Sequence, residues 1–360
     1  MAKGHALYNR WNRRGFIVGG ASSVFSIAAL GASESNQQAD YPAEEDGGVR
    51  FLAFADIHYC PSGFWPHASQ EWLDRVLERA VLLKADFVMS LGDLTFGPGN
   101  RAVRDYVDHY NSFKPVKTYH TYGNHDFECV TPDELDEVYG LKSGYYSFDC
   151  RGFRFVVLDP HYYLKDGKYC RFSKRCSYPE LSKLGLLTRI IPPDQMEWLR
   201  QTVVDSPLPC VVFSHESIER GCSGIDNRAM VRSIFAEANA RRPGTVRLAI
   251  NGHEHKDYFR MLDGVAYLDL NSASYDVNKD HDAYPESFRK QCESAKCILT
   301  WTDPINAVIT LTPSGGLKID GMSSSFYLGV TPEMAGWGCD SDGRITTPNV
   351  QSIDMHLKYG

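Results

Sequence analysis

The stretch Val49–His58, VRFLAFADIH, holds the pattern on which the fold prediction depends. It is apolar apart from Arg50 until it reaches the polar end Asp56-Ile57-His58. A continuous apolar run of this length is typical of a strand that is buried on both faces, and such strands belong to parallel sheets covered by helices. The stretch therefore predicts a central strand of an α/β domain, with an aspartate and a histidine at its carboxyl end.

The chain beyond this strand alternates between helical and extended patterns. Apolar residues recur at helical spacing from Trp72 to Leu83, and a short apolar strand follows at Asp86–Leu91. The residues Thr131-Pro132-Asp133-Glu134 have the pattern of a capped helix start. This alternation predicts the α/β class. The other predicted elements are a helix at Val103–Phe113, a strand at Val116–Tyr122, a hairpin about Gly152, a helix at Gln195–Val204, a strand at Cys210–Phe213, a helix at Asn227–Ala240, a strand at Val246–Ile250 and antiparallel strands between Asp263 and Ile319.

Composition and charge narrow the classes of function. Of the 360 residues, 43% are hydrophobic and 23% are charged, which excludes a disordered, collagen-like or multi-span membrane protein. Lysine and arginine total 38 against 45 acidic residues, for a formal net charge of −7. An acidic chain is not expected to bind bulk nucleic acid, so an anionic substrate must be captured by a local site.

Residues 1–32 differ from the rest, because they contain basic residues and no acidic one. Asn12-Arg13-Arg14-Gly15-Phe16-Ile17 resembles the twin-arginine export signal, and small residues near Ala29 offer a cleavage site. The apolar run Gly15–Ala32 is too short and too polar to predict a membrane span. We expect a signal peptide at residues 1–32, recognised by the twin-arginine export machinery, with a retained signal anchor as the alternative. The cleaved protein would be periplasmic or otherwise extracytoplasmic, without a stable membrane span.

The remaining chain divides into three parts. Residues 33–48 are polar and acidic and predict a solvated linker before a folded domain at residues 49–321. Within that domain, residues 160–193 lose the regular pattern and are rich in aromatic and basic residues, which predicts an insertion that could cap the site. Residues 322–360 show no clear period and form a carboxy-terminal extension of unassigned role.

Ten cysteines are compatible with an oxidising compartment, but twin-arginine export follows folding in the cytoplasm, which weakens an inference of disulfides. Cys170 with Cys176, and Cys292 with Cys297, can each form a disulfide or remain as two thiols. No CxxC pair indicates a structural zinc site.

Polar side chains gather at five places where a predicted strand ends. In open α/β sheets the carboxyl ends of the strands share one crevice, so residues distant in sequence can form one site. Residues i and i+2 of an extended chain point to the same side, and glycines let neighbouring backbone approach closely. Each cluster is a weak signal alone, but their joint order favours a metal site over separate turns. The clusters are Asp56-Ile57-His58, Gly92-Asp93, Gly123-Asn124-His125-Asp126, His215 and Gly252-His253-Glu254-His255.

This series of motifs resembles the calcineurin-like metallophosphoesterases over about Val49 to Asn271. The resemblance implies a four-layer αββα sandwich of two mixed β-sheets flanked by helices, with two metal ions at the carboxyl ends of the strands. It assigns three ligands to each ion and one bridging carboxylate. The first ion would be held by Asp56, His58 and His255, the second by Asn124, His215 and His253, and Asp93 would bridge them.

The donor types agree with what the resemblance implies. Imidazoles with carboxylates and one amide suit Mn, Fe or Zn, as two divalent or mixed-valence ions, better than Ca or Mg. Two divalent ions with Asp56, Asp93 and a bridging hydroxide leave a charge of +1 (four minus three), which would attract phosphate. The expected reaction is hydrolysis of a small-molecule phosphodiester or phosphomonoester by that hydroxide. His125 would protonate the leaving group, oriented by Asp126 or another carboxylate.

Two other functions stay open. A diphosphatase acting on a nucleotide-linked substrate could stack a base on Tyr162, Tyr163 or Tyr169. A non-catalytic protein that binds metal or phosphate is the alternative from another class. The tyrosinate-iron site of purple acid phosphatases is not expected, because Phe96 stands where that group carries its tyrosine ligand.

Overall fold

Two mixed sheets of six strands each dominate the part of the chain that the structure describes. This computed structural model describes residues 47–61, 70–96, 99, 101–128, 130–173, 181, 183–221, 223–340 and 342–358. The strands are β1 (Val49–Phe54), β2 (Phe87–Ser90), β3 (Lys117–His120), β4 (Tyr146–Cys150), β5 (Phe153–Val157), β6 (Tyr162–Lys165), β7 (Lys168–Arg171), β8 (Cys210–Phe213), β9 (Val246–Asn251), β10 (Tyr258–Leu262), β11 (Val265–Asp269), β12 (Tyr275–Val277), β13 (Ile298–Thr300), β14 (Ala307–Leu311), β15 (Gly316–Gly321) and β16 (Ile353–His356). The helices are α1 (Gln70–Leu82), α2 (Arg101–Asn111), α3 (Pro132–Tyr139), α4 (Pro193–Val203), α5 (Arg228–Arg241) and α6 (Glu286–Gln291), with short 3-10 helices at Glu293–Lys296 and Tyr327–Gly329.

Both sheets combine parallel and antiparallel strands. The first has the order β16-β15-β14-β1-β2-β3, in which β1, β2 and β3 are parallel. The second has the order β10-β11-β9-β8-β5-β4, in which β5, β8, β9 and β11 are parallel. Antiparallel strands complete both sheets, so the expected pair of mixed sheets is confirmed.

Aromatic side chains fill the space between the sheets. The ring of Phe51 stacks on that of Phe87 in the neighbouring strand, with 4.9 Å between centroids. It meets the rings of Phe155 and Phe213 from the second sheet edge-on, at 5.5 and 5.8 Å. Helix α1 buries its apolar face on the first sheet, and α4 and α5 bury theirs on the second. These layers confirm the αββα sandwich.

Helix α3 begins where its capping pattern predicts. The Thr131 side chain accepts a hydrogen bond from the backbone N–H of Glu134, and the Glu134 carboxylate accepts one from the backbone N–H of Thr131. Gly140 ends the helix in a left-handed conformation, with φ of 68°. The helix therefore has a defined start and end directly after the turn that carries the third polar cluster.

The insertion and the extension contain regular structure that the sequence pattern did not predict. In the insertion, β6 and β7 form a hairpin around Asp166-Gly167. In the extension, β16 pairs antiparallel with β15 at the edge of the first sheet. The partners of this last pair lie on either side of the boundary predicted at residue 321. Strands β6, β7 and β16 span only four residues each, which is too short for a reliable period.

Several predictions fall outside the described residues. These are the signal peptide at residues 1–32, nearly all of the linker at residues 33–48, and Cys176. Cys170 and Cys297 are free thiols. No helix in the described ranges has the length and apolar character needed to cross a membrane.

Candidate metal centre

The parallel strands of both sheets end at one edge of the sandwich, and the two sheets are joined there. Ala55 forms a β-bridge with Ser272, and the backbone N–H of His253 donates to Oδ2 of Asp56 over 2.9 Å. The hydroxyls of Ser272 and Ser274 donate to the carbonyl oxygen of Asp56 at 2.9 and 2.8 Å. The end of β1 is thereby fixed to the loops that follow β9 and β11.

The backbone at this edge is strained at several predicted site residues. A left-handed conformation costs a residue other than glycine about 1 to 3 kcal/mol and persists only where the surroundings enforce it. Such residues cluster at functional sites. The φ angles are 53° at Asp56, 53° at His58, 50° at Asp93, 69° at His253 and 52° at His255.

Three glycines leave room for this edge to close, as predicted. A Cβ atom at Gly92 would lie 2.6 Å from Nδ1 of His215, and one at Gly252 would lie 2.5 Å from Oδ2 of Asp56. A Cβ atom at Gly123 would overlap the backbone nitrogen and the carboxylate of Asp93. Any side chain at these positions would push a predicted ligand out of place.

The first group of donor atoms comes from β1 and from the loop after β9. Nε2 of His255 lies 3.2 Å from Oδ1 of Asp56 and 3.2 Å from Nε2 of His58. Nε2 of His58 lies 3.7 Å from the same Asp56 oxygen. The His58 ring stacks with Phe96 and Tyr275, at 4.8 and 5.1 Å between centroids. The aromatic neighbours hold the imidazole in this orientation.

The second group gathers around Nε2 of His215, which is fully buried. This atom lies 3.2 Å from Oδ2 of Asp93, 3.2 Å from Nδ1 of His253 and 3.3 Å from Oδ1 of Asn124. Nδ1 of His215 lies 2.7 Å from the carbonyl oxygen of Leu91 and donates its proton there. When the ring is neutral, that hydrogen bond keeps the proton on Nδ1 and leaves the lone pair of Nε2 to face the other donors.

Asp93 connects the two groups. Its Oδ2 lies 3.2 Å from Nε2 of His215 and 3.9 Å from Nε2 of His58. Burial alone would raise the pKa of this carboxyl, but the imidazoles of His215 and His125 outweigh burial and hold the pKa well below its usual range. The group is therefore an ionised carboxylate in contact with both sets of nitrogens. All seven predicted ligand residues are brought together.

The chemistry of the donor set fits divalent transition metal ions. Oδ1 of Asp56 is buried and receives no hydrogen bond from any described residue. Imidazole nitrogens that approach each other to 3.2 Å need either a shared proton or a cation between them. The Asp and His atoms form three overlapping sets of three, and within each set the atoms lie within 4.8 Å of one another. These donors match the ligand types of Mn, Fe and Zn.

His125 lies beside this cluster. Its Nε2 is 3.9 Å from Oδ2 of Asp93, and its backbone N–H donates to Oδ1 of the same residue over 2.7 Å. Its Nδ1 lies 2.9 Å from Oε1 of Glu128. Burial lowers the pKa of His125, but Asp93 and Glu128 outweigh burial and raise it to about 9. The side chain keeps 16% of its surface exposed, so a bound molecule can reach it.

Asp126 does not orient His125, so of the two expected alternatives another carboxylate applies. Its buried carboxylate accepts hydrogen bonds from the backbone N–H groups of Asp93 and Gly123, at 3.0 and 2.9 Å. It also accepts from the backbone of Thr95 and from the hydroxyl of Tyr139. Asp126 therefore fixes the loops after β2 and β3, and the carboxylate that orients His125 is Glu128.

Sequence reasoning missed Glu128 and a buried group at the end of β5. Asp159, His161 and Glu216 have no exposed surface, and both ring nitrogens of His161 face a carboxylate. A signal for this group was present, because Asp159-Pro160-His161 is a second Asp-x-His at the end of an apolar run. Glu128 belongs to no such motif. It contacts His125 only because the two residues lie in the same turn.

Residues 49–257 match the family model for calcineurin-like phosphoesterases. The chain belongs to this family. The family and the Asp/His cluster together imply divalent metal ions and place this phosphoesterase among the metal-dependent hydrolases of phosphoester bonds.

Comparison with solved structures finds chains that are similar to this one. A dimetal phosphatase from Danio rerio is 15% identical, with a TM-score of 0.53 over 86% of this chain and 99% of that one. GAP50, the anchor in the inner membrane complex of Plasmodium, is 12% identical with a TM-score of 0.48, over 86% and 89% of the two chains. A novel archaeal phosphodiesterase is 12% identical with a TM-score of 0.34, over 76% and 100%. No curated protein sequence matches the phosphoesterase. The likeness to the Danio rerio phosphatase supports the fold.

Proposed function

We propose that this phosphoesterase hydrolyses a small-molecule phosphate ester, either a diester or a monoester, with two metal ions in the centre. The observation that carries the proposal is the position of Asp93, whose one carboxylate oxygen faces His58 of the first donor group and His215 of the second. A carboxylate shared between two sets of donors is suited to holding two cations close together.

Each donor group would hold one ion, and the ions would be Mn, Fe or Zn in a divalent or mixed-valence pair. When bound, they supply activation of water and neutralisation of charge on the phosphate. A net positive centre inside an acidic chain selects a small anionic substrate over bulk nucleic acid. The first ion would be held by Asp56, His58 and His255, the second by Asn124, His215 and His253, and both by Asp93.

His125 is the proposed proton donor to the leaving group. Nδ1–H donates a hydrogen bond to Glu128, so Nε2 is the ring nitrogen that faces the cluster and carries the proton to be transferred. As the bond from phosphorus to the leaving oxygen breaks, that oxygen takes the proton from Nε2. The oxygen of the attacking water forms the new bond to phosphorus, and the water gives one proton to the solvent, from which His125 is protonated again. Such assistance contributes about 10²- to 10⁴-fold to the rate. Glu128 and Asp126 act by holding His125 and the loops in place.

We also propose that the protein acts outside the cytoplasm. Support comes from the twin-arginine pattern Asn12–Ile17 ahead of a domain whose centre needs distant segments to be folded together. Export of an already folded protein would deliver an assembled site.

The catalytic proposal is tested by removing metal with a chelator, restoring Mn, Fe or Zn, and measuring turnover of bis-p-nitrophenyl phosphate, p-nitrophenyl phosphate and a nucleotide diphosphate ester. We expect turnover of at least one of the p-nitrophenyl esters to return with metal. His215→Gln should abolish it, whereas His120→Gln, which alters another buried histidine, should preserve it. Faster turnover of the nucleotide diphosphate ester than of the p-nitrophenyl esters would favour the alternative function of a diphosphatase. A loaded wild-type protein that binds two ions and cleaves no ester would be a binding protein instead.

A further inference from the structure

A buried charged group lies directly beside the second donor group. Nδ1 of His161 is 2.8 Å from Oδ1 of Asp159, and Nε2 is 3.4 Å from Oε1 of Glu216. All three side chains have no exposed surface. An imidazole between two buried carboxylates balances charges that would otherwise repel each other at low dielectric.

The sheet topology explains why these residues meet. Strands β5 and β8 are parallel neighbours, and the backbone N–H of Leu158 donates to the carbonyl of Phe213 over 2.9 Å. The residues just past each strand therefore lie side by side. Glu216 directly follows His215, and the rings of His161 and His215 are 6.1 Å apart between centroids.

The other end of this group is fixed to the body of the domain. Gln195 donates to the carbonyl of Asp159 and accepts from its backbone N–H, at 2.8 and 2.9 Å. Nε of Arg171 lies 3.4 Å from Oδ2 of Asp159. The same guanidinium makes two hydrogen bonds of 2.8 Å to Asp136. Asp159 is thus held from β7 and α4, which gives His161 a rigid support.

We infer that His161 is a positioning residue for the second metal ion: it holds Glu216, and through it the loop that carries His215. The inference rests on the proposed function, because it assumes that His215 is a metal ligand. His215 has to keep Nε2 within 3.2 to 3.3 Å of the Asp93, His253 and Asn124 donors. Loss of the imidazole would remove the cationic group that faces Glu216 at 3.4 Å and would displace this loop. Loss of a group that orients a ligand typically weakens metal binding by about 10- to 100-fold.

The test is a titration of the metal-depleted full chain with Co²⁺, followed by visible absorption. Wild type should bind two equivalents. His161→Gln should bind the first equivalent as wild type does and the second about 10- to 100-fold more weakly. His120→Gln is the matched control, because His120 is also a buried histidine at a strand end but packs against tyrosine rings. It should bind both equivalents as wild type does.

A double-mutant cycle separates positioning from mere packing. If His161 acts through Glu216, the loss of affinity in His161→Gln with Glu216→Gln is smaller than the sum of the two single losses. Three results would each overturn the inference. The first is additive losses of affinity in the double variant, and the second is an unchanged affinity of His161→Gln for the second Co²⁺ ion. The third is equal weakening of both sites in a folded variant. If His161→Gln does not fold, Glu216→Gln alone is titrated and should show the same selective weakening of the second site.

Failure of the inference and failure of the proposed function are distinguishable. A wild-type protein that binds two Co²⁺ ions and cleaves no ester overturns the function but leaves the positioning role standing. If the wild-type enzyme cleaves esters and the His161→Gln variant binds both Co²⁺ ions as wild type does, the positioning role alone is overturned.

Discussion

Replacing Asp93 with asparagine removes the one charge that both donor groups share. Oδ2 of Asp93 lies 3.2 Å from Nε2 of His215 and 3.9 Å from Nε2 of His58, so cations held by those nitrogens would lie within about 4 Å of the carboxylate. At this separation and an effective dielectric constant of about 20, each unit of positive charge interacts with the carboxylate by about 4 kcal/mol. That energy corresponds to about three powers of ten in binding affinity.

Metal content by elemental analysis and turnover of bis-p-nitrophenyl phosphate and p-nitrophenyl phosphate measure the effect. Asp93→Asn should retain fewer than two ions per chain and lose turnover. Asp86→Asn is the matched control, because Asp86 immediately precedes β2, at the opposite end from Asp93, and binds the backbone N–H of Arg50 and the side chain of Arg151. It should keep both ions and its activity. Two ions and normal turnover in Asp93→Asn would refute the bridging role.

Three further variants test other parts of the proposal. His125→Asn should keep both ions and lose about 10²- to 10⁴-fold in rate on esters with poor leaving groups, but less on p-nitrophenyl esters; equal losses on both, or loss of metal, would show that His125 is not the proton donor. Arg13→Lys with Arg14→Lys should leave precursor in the cytoplasm, as followed by cell fractionation, and unchanged export would rule out the twin-arginine route. Burial lowers the pKa of His120 to about 3 against 6.5 in the unfolded chain, so the stability that this neutral histidine contributes is complete above pH 6.5 and is lost on acidification towards pH 3. Between pH 7 and pH 4, urea unfolding of wild type should lose about 3 kcal/mol more than that of His120→Gln, and parallel pH profiles would contradict this assignment.

The layout of the centre was predictable because parallel strands place their carboxyl ends at one edge. The predicted strands before Asp56, Asp93, Asn124, His215 and His253 mark five such ends, and the structure brings these residues together. The role of the glycines at these ends was also predictable from the sequence. A side chain at Gly92 would displace His215, and one at Gly252 would displace Asp56.

The contacts that orient the centre were not predictable from spacing. Adjacency in sequence suggested that Asp126 serves His125, but the turn after β3 directs Asp126 towards Asp93 and Tyr139 and brings Glu128 to the imidazole. The contact between His161 and Glu216 depends on β5 lying next to β8 in the sheet. Sequence order does not give that arrangement, because the insertion and α4 separate the two strands.

Anomalous diffraction from crystals of the metal-loaded protein would locate the bound ions and count them. We expect two peaks about 3.5 to 4 Å apart, as in other two-metal hydrolytic sites. One should lie beside Asp56, His58 and His255, and the other beside Asn124, His215 and His253. Asp93 should contact both ions. A single peak, or ions bound away from these residues, would contradict the proposal of a two-metal phosphoesterase.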